Sequence, residues 1–369
     1  MNDIAIVGGG AGGLILASKL AKEMGDELRN GRISITIFDG SQNHEFQPGY
    51  LGVAFRGSRP SRMQRSLAQL IYPGVKLVHE NCSVIDIENR YVITEKSVNR
   101  YNFDTIVVAT GCLTDPGQIP GLSEANHDFH TNASKSAELY ERMSRVKSGK
   151  IVVGIAGLPY KCPPSPNEGA FMADEFFAKR KMREKVEITF VTPYLRAYPA
   201  EPISEVITPM YEDRNIDIVT GFNLDYVDPQ KKEILSLEGD SLEYDELILV
   251  PPHRTVDVVK KSDFVDKYGW VITDKRDMHI KDYDYAFSIG DNTNIPISKA
   301  GVEAHLQAIT VASNIIEDYK GGTDKYLFTG RMQCSMETGY HQATFVVGTY
   351  ERPVEKKFPS TINYVEKKF

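Results

Sequence analysis

Four cysteines, Cys82, Cys112, Cys162 and Cys334, are the residues of this sequence best suited to redox chemistry. A thiolate is a nucleophile, and two sulfurs that pair and separate carry two electrons. None of the four lies in a CxxC pair of the kind that holds zinc or in a CxxCH that binds haem, and four scattered cysteines do not make a secreted disulfide scaffold. No metal site is expected, and any cysteine chemistry must come from folding distant segments together. Cys162 stands in Cys162-Pro163-Pro164-Ser165-Pro166-Asn167-Glu168, where a cysteine wedged among prolines has little packing rationale. Cys82 and Cys112 read as small buried hydrophobes.

A second set of residues points to a nucleotide. The apolar run Asp3 to Val7 ends in Gly8-Gly9-Gly10-Ala11-Gly12-Gly13, and Leu14, Leu16, Ala17, Leu20 and Ala21 then recur at helical spacing. Another run, Ile33 to Phe38, closes on Asp39, which completes strand, glycine turn, helix and strand. Gly8 serves the tight turn, Gly10 the approach of a pyrophosphate and Gly13 the packing of helix on strand. The helix start supplies unpaired N–H groups and the positive end of a dipole, and Asp39 sits where a carboxylate meets a ribose. Farther on, Thr105 to Gly111 and Tyr285 to Asp291 are strands that run into small-residue turns, and a helix is predicted over 298–312.

These elements predict an α/β fold of two Rossmann-like, three-layer ββα dinucleotide-binding domains, the second inserted in the first, plus a small C-terminal segment. The first takes 1–118 and 283–321, the second 119–282, and the C-terminal segment 322–369. In the second domain, strands are predicted at Ile151–Ile155, Ile188–Val191 and Leu247–Val250, with a helix at Glu168–Arg180. A chain of 369 residues is long enough for two or three domains and a large cofactor. Hydrophobic residues at 41% and charged residues at 25% exclude wholesale disorder and a membrane bundle. A net charge of -7 argues against a nucleic-acid backbone as partner. No apolar run is long enough to span a bilayer, and the strand pattern begins too early for a signal peptide, so the mature chain is expected to start at Met1.

Taken together, the glycine fingerprint, Ala109-Thr110-Gly111 and Ile289-Gly290-Asp291 resemble the pyridine-nucleotide-disulfide oxidoreductase superfamily over nearly the whole chain. Within it, Phe46-Gln47-Pro48, the Cys162 to Glu168 string, Val250-Pro251-Pro252-His253 and the late Cys334 are similar to sulfide:quinone oxidoreductases and the flavoprotein subunit of flavocytochrome c sulfide dehydrogenase. The resemblance implies an FAD-dependent enzyme. It implies FAD contacts at Gly8, Gly10, Ala11, Gly12, Gly13, Asp39, Pro48, Val84, Ala109, Thr110, Gly111, Gly290 and Asp291, with Lys299, Ala300 and Gly301 opening a helix toward the pyrimidine edge of the flavin. It also implies that Cys162 and Cys334 form a redox pair that hydrosulfide attacks, leaving a persulfide and passing two electrons to the flavin, with Glu168 shuttling protons.

The expected turn of the second domain, Gly154-Ile155-Ala156-Gly157-Leu158-Pro159-Tyr160-Lys161-Cys162, continues into Pro163, Pro164 and Pro166, and its helix is expected to start late, near Glu168. Proline lacks the N–H groups that cradle a pyrophosphate, so NAD(P)H is expected to bind poorly or not at all. Two departures from the family follow. Where many members carry a third cysteine, this chain offers His130; and no cysteine stands in 40–60, so the FAD is expected to be noncovalent. The resemblance also implies a membrane quinone as electron acceptor, with peripheral contact expected through Phe358, Tyr364 and Phe369 amid the tail lysines. The chain is expected in the cytoplasm or peripherally on the cell membrane, and a homo-oligomer is compatible with the sequence. The alternatives are a sulfide:cytochrome c flavoprotein subunit, a type II NADH dehydrogenase, a thiol-disulfide oxidoreductase, and a degenerate flavin-binding module whose cysteines only sense redox state.

Overall fold

Residues 2–98 and 100–366 are described in a computed structural model, and they divide into two compact units. The first comprises Met1–His44, Gln64–Leu113 and Arg254–Met332; the second comprises Glu45–Met63, Thr114–His253 and Gln333–Phe369.

In the first unit, five parallel strands lie in the order Ala286–Ser288, Thr105–Val108, Asn2–Val7, Ile33–Phe38 and Lys76–Val78. Strands such as Thr-Ile-Val-Val are apolar almost throughout because both faces of a parallel sheet are covered. The helices Ala11–Glu23 and Gly301–Tyr319 pack on each other. A second layer is the antiparallel sheet Cys82–Asp86, Tyr91–Thr94, Arg100–Asn102. Ala5, Val7, Phe38, Ile85, Val92, Phe103, Ile106 and Val108 are buried in one core cluster that joins the two sheets.

The second unit repeats the plan. Its parallel sheet has the order Ile216–Thr220, Val186–Thr192, Gly149–Ile155 and Glu246–Val250, and its antiparallel sheet runs Leu224–Asp228, Glu233–Ser236, Ser241–Glu243. The helix Ser165–Lys179 is buried along most of its length, with Phe171, Phe176 and Phe177 inside. It begins three residues before the predicted start because Pro166 falls in its first turn, where a missing N–H costs nothing. The helix predicted over 298–312 runs instead from Gly301 to Tyr319, with Ala300 as its N-cap.

The compact units are cut differently from the predicted domains. Residues 254–282 fall in the first unit because Val259, Phe264, Val271 and Ile280 enter its core. The tail from Gln333 belongs to the second unit, where the strands Met332–Gly339 and Gln342–Gly348 pair across a left-handed Tyr340-His341 turn. Residues 45–63 also join the second unit, since the helix Tyr50–Arg56 packs on the helices Ala133–Arg145 and Ser165–Lys179.

Candidate functional site

The glycine turn of the first unit has the space that a dinucleotide requires. Gly8 is left-handed at φ 112, and a Cβ there would lie 2.4 Å from the Ala109 carbonyl oxygen. A Cβ on Gly13 would lie 2.0 Å from the Gly8 carbonyl oxygen, so the helix approaches the strand end this closely only with glycine at position 13. Gly10, by contrast, faces open space with nothing within 4 Å, and so does Gly111. Asp39 is held at this turn: Gly9 N–H donates to Oδ2 at 2.6 Å and Ser41 N–H to Oδ1 at 2.7 Å. The buried Thr110 hydroxyl has no hydrogen-bond partner among the described residues, which suits a polar ligand atom.

Two residues that sequence reasoning missed tie the late turns together. Asn292 Oδ1 accepts from Gly111 N–H at 3.3 Å while its amide donates to Ser288 Oγ at 2.6 Å, and Gln307 Oε1 accepts from Gly290 N–H at 2.6 Å. Only the position of Asn292, directly after Gly290-Asp291, gave any signal. Lys299 Nζ donates to the carbonyls of Asp291 at 2.8 Å and Thr293 at 2.7 Å and lies 3.8 Å from the Trp270 ring centroid. Burial pulls this ammonium below the usual lysine range, against the opposing pull of Asp291. Its charge is thus directed at the protein's own carbonyls and indole. Cys112 Sγ is 3.8 Å from Asp291 Oδ2. Val84 is an exposed residue of the Cys82–Asp86 strand, and Pro48, alone of the predicted cofactor set, belongs to the second unit, in the short turn Gln47–Gly49. Burial first and the Asp39 carboxylate second push the Cys82 thiol up to about 12, which leaves it inert.

In the second unit, Cys162 adopts a left-handed φ of 55 and is half-buried. Its carbonyl accepts both the N–H and the hydroxyl of Ser165, each at 2.9 Å, so the prolines and this double bond define the turn that enters the Ser165–Lys179 helix. Glu168, only 2% exposed, lies one turn into the helix, and its Oε1 accepts the N–H of Glu337 at 2.7 Å. That bond docks the strand bearing Cys334. Three residues on, Tyr340 donates to Asp174 Oδ2 at 2.9 Å, so strand and helix run in the same direction. Six helical residues rise roughly 9 Å, and three strand residues span roughly 10 Å. Followed backwards from Glu337 by the same three-residue step, the strand carries buried Cys334 toward the helix start, the end that Cys162 precedes.

Arg56 and Arg214 complete this docking, and no sequence signal marked either. Arg56 pairs with Glu175 at 3.2 Å and with Glu337, and Arg214 Nη1 donates to the Thr338 carbonyl at 2.5 Å. Although burial pushes Glu175 up, Lys179 and Arg56 together hold its carboxyl below the usual range. His130 is buried beside the cysteine turn, with Nε2 2.5 Å from Ser165 Oγ and its ring edge-on to His253 at 5.7 Å.

A family model described as "Pyridine nucleotide-disulphide oxidoreductase" matches residues 2–312. The chain belongs to this family. It is a flavoprotein oxidoreductase, and the cofactor the family implies is FAD. Among curated relatives, the mitochondrial sulfide:quinone oxidoreductase of Dictyostelium discoideum is 27% identical over 96% of this chain and 79% of its own length. That of Mus musculus is 24% identical over 97% of this chain and 80% of its own length. The solved sulfide:quinone oxidoreductase of Aquifex aeolicus superposes with a TM-score of 0.87 over 100% of this chain and 89% of that one; at 22% identity this likeness establishes the fold. Among the described residues, no helix is long and apolar enough to cross a membrane.

Proposed function

We propose that this flavoprotein oxidises sulfide at a Cys162/Cys334 pair and passes the electrons through noncovalent FAD to a membrane quinone. The observation that supports the reading is the Glu168–Glu337 hydrogen bond, which joins the strand that bears Cys334 to the first turn of the helix that follows Cys162. The names of the curated relatives supply the substrate class.

In this reading hydrosulfide attacks one sulfur of the oxidised pair, breaking its bond to the other and leaving a persulfide and a thiolate. Joining persulfide and thiolate as a trisulfide releases two electrons. The Gly8–Gly13 turn, Asp39, the Ala109–Gly111 turn and the Asp291 turn would hold FAD, whose bound ring would supply the two-electron acceptor between this pair and quinone. Glu168 acts twice: Oε1 keeps the strand docked, and the carboxylate takes up the proton that hydrosulfide loses. Lys299 acts as a positioning residue that holds the Asp291 turn against the Gly301 helix. Absence of cysteine in 40–60 supports noncovalent attachment, and acid precipitation should release the flavin.

The prolines at 163, 164 and 166 weigh against NADH as donor, since the turn lacks the amides a pyrophosphate needs. Membrane contact is proposed through the tail, where Phe358 is exposed beside Lys356 and Lys357, and Ile362 and Val365 are exposed on the helix Thr361–Glu366. Tyr364, counted among the contact residues from sequence, is buried against Arg56 at 5.8 Å instead, and Phe369 lies outside the described residues.

The test is anaerobic stopped-flow mixing with sulfide, then with decylubiquinone. Sulfide should bleach the flavin of the wild type and quinone should restore its colour, while Cys162→Ser should slow bleaching by at least 100-fold, as loss of a covalent nucleophile does. A flavin that stays yellow with sulfide, or that is reduced tightly and stoichiometrically by NADH, overturns the proposal.

A further inference from the structure

Ser165 stands inside the proline-bordered turn, and its hydroxyl has two neighbours that make different demands. Oγ lies 2.9 Å from the Cys162 carbonyl oxygen, which can only accept, and 2.5 Å from His130 Nε2. A hydroxyl has one proton and two lone pairs. With that proton given to the carbonyl, Ser165 can only accept at the second contact, so His130 carries its own proton on Nε2. Nδ1 is then a bare lone pair.

This nitrogen is buried and has no hydrogen-bond partner among the described residues, an arrangement that is costly unless a ligand supplies the donor. The rings facing the imidazole are Phe129 at 5.2 Å and His253 at 5.7 Å. Lys161 acts on it electrostatically, and Asp128 of its own loop is occupied by the N–H groups of His130 and Thr131. Burial first, then His253 and Lys161, push the imidazole well below the ordinary histidine range, so at neutral pH the ring is uncharged and accepts at Nδ1.

We infer that Ser165 is a positioning residue: it fixes the Nε2-protonated tautomer of His130 and so leaves Nδ1 as the hydrogen-bond acceptor for an S–H donor. The tautomer assignment rests on the Ser165 hydroxyl donating to the Cys162 carbonyl, and the identity of the donor rests on the sulfide reading above. Two sources share this chemistry, incoming hydrogen sulfide in its neutral form and a thiol of the chain.

The experiment is two-bond proton–nitrogen correlation on the 15N-histidine-labelled holoenzyme, with His130 assigned by its disappearance in His130→Gln. In the wild type His130 should show the Nε2–H tautomer, and anaerobic sulfide should move the Nδ1 resonance. Ser165→Ala should give a mixed or Nδ1–H tautomer and about a tenfold slower reduction of the flavin by sulfide, the size that one hydrogen bond carries. Ser165→Thr, which keeps the hydroxyl, should restore both. An Nδ1–H tautomer in the wild type, or an unchanged tautomer in Ser165→Ala, overturns the inference; if the alanine variant does not fold, the wild-type and threonine spectra still decide it. A sulfide response that survives Cys162→Ala identifies sulfide as the donor, and one that vanishes identifies the thiol. An Nδ1 resonance that neither sulfide nor Cys162→Ala moves refutes the acceptor role. Sulfide that leaves the flavin oxidised while the tautomer is as stated defeats the proposed function and leaves the role of Ser165 standing.

Discussion

A single missing Cβ has two different meanings in this protein, and substitution separates them. At Gly13 the space is filled by the Gly8 carbonyl, so Gly13→Ala must push helix from strand. The cost should be on the order of 3 kcal/mol or more, typical of overpacking against backbone, and thermal unfolding of the apoprotein should show it. At Gly10 nothing stands within 4 Å, so Gly10→Ala should leave apoprotein stability within about 1 kcal/mol of the wild type, as Gly-to-Ala exchanges near helices do. Its flavin content on purification should nevertheless fall, because the added methyl occupies the ligand's space. Equal flavin content in Gly10→Ala and the wild type would refute that assignment.

At the level of elements, the decisive object is the hairpin 332–348 laid along the Ser165–Lys179 helix. It is held by charge: Arg56 lies between Glu175 and Glu337, and Glu168 caps the strand's Glu337 N–H. Arg56→Met takes the shared cation from both buried carboxylates and leaves Glu175 its Lys179 ion pair, which should cost about 3 kcal/mol and expose the hairpin to hydrogen exchange. The acid response follows from Glu175, whose folded-state pKa lies below its unfolded value. A depressed carboxylate contributes stability that is fully present above the unfolded pKa and is lost as pH falls through the folded one. Exchange of the 333–348 amides, corrected for intrinsic rate, should therefore accelerate only below the ordinary carboxylate range and stay flat from there to neutrality. Acceleration on raising the pH toward neutrality would contradict the ion-pair account.

For the molecule as a whole, the tail is proposed to decide where the enzyme works. The exposed Phe358 and Ile362, beside Lys356 and Lys357, are proposed to bind an anionic interface. Wild-type protein should sediment with phosphatidylglycerol vesicles and dissociate in high salt, while Phe358→Ser with Ile362→Ser should lose most of that binding and retain sulfide-driven bleaching. Sedimentation unchanged in the double variant would remove the tail from the interface. The division into units bears on reading such results, because the tail from Gln333 belongs to the unit that also holds Cys162.

How much of this was legible in the sequence depends on the range over which each feature is determined. The glycine turn, its flanking strands and helix, and Asp39 are local: their spacing repeats a stereochemical demand that a few consecutive residues impose, and the first dinucleotide-type domain could be inferred from them, the second from its own apolar strands. The proline-filled turn is local in the same sense. Tertiary structure alone decided that 254–282 completes the first core, that Tyr364 turns inward to Arg56, and that Ser165 meets His130. It alone also set the Cys334 strand against Glu168. Those outcomes depend on contacts between segments far apart in the chain, and a hydrogen bond across that separation leaves no period or spacing in the residues between its partners.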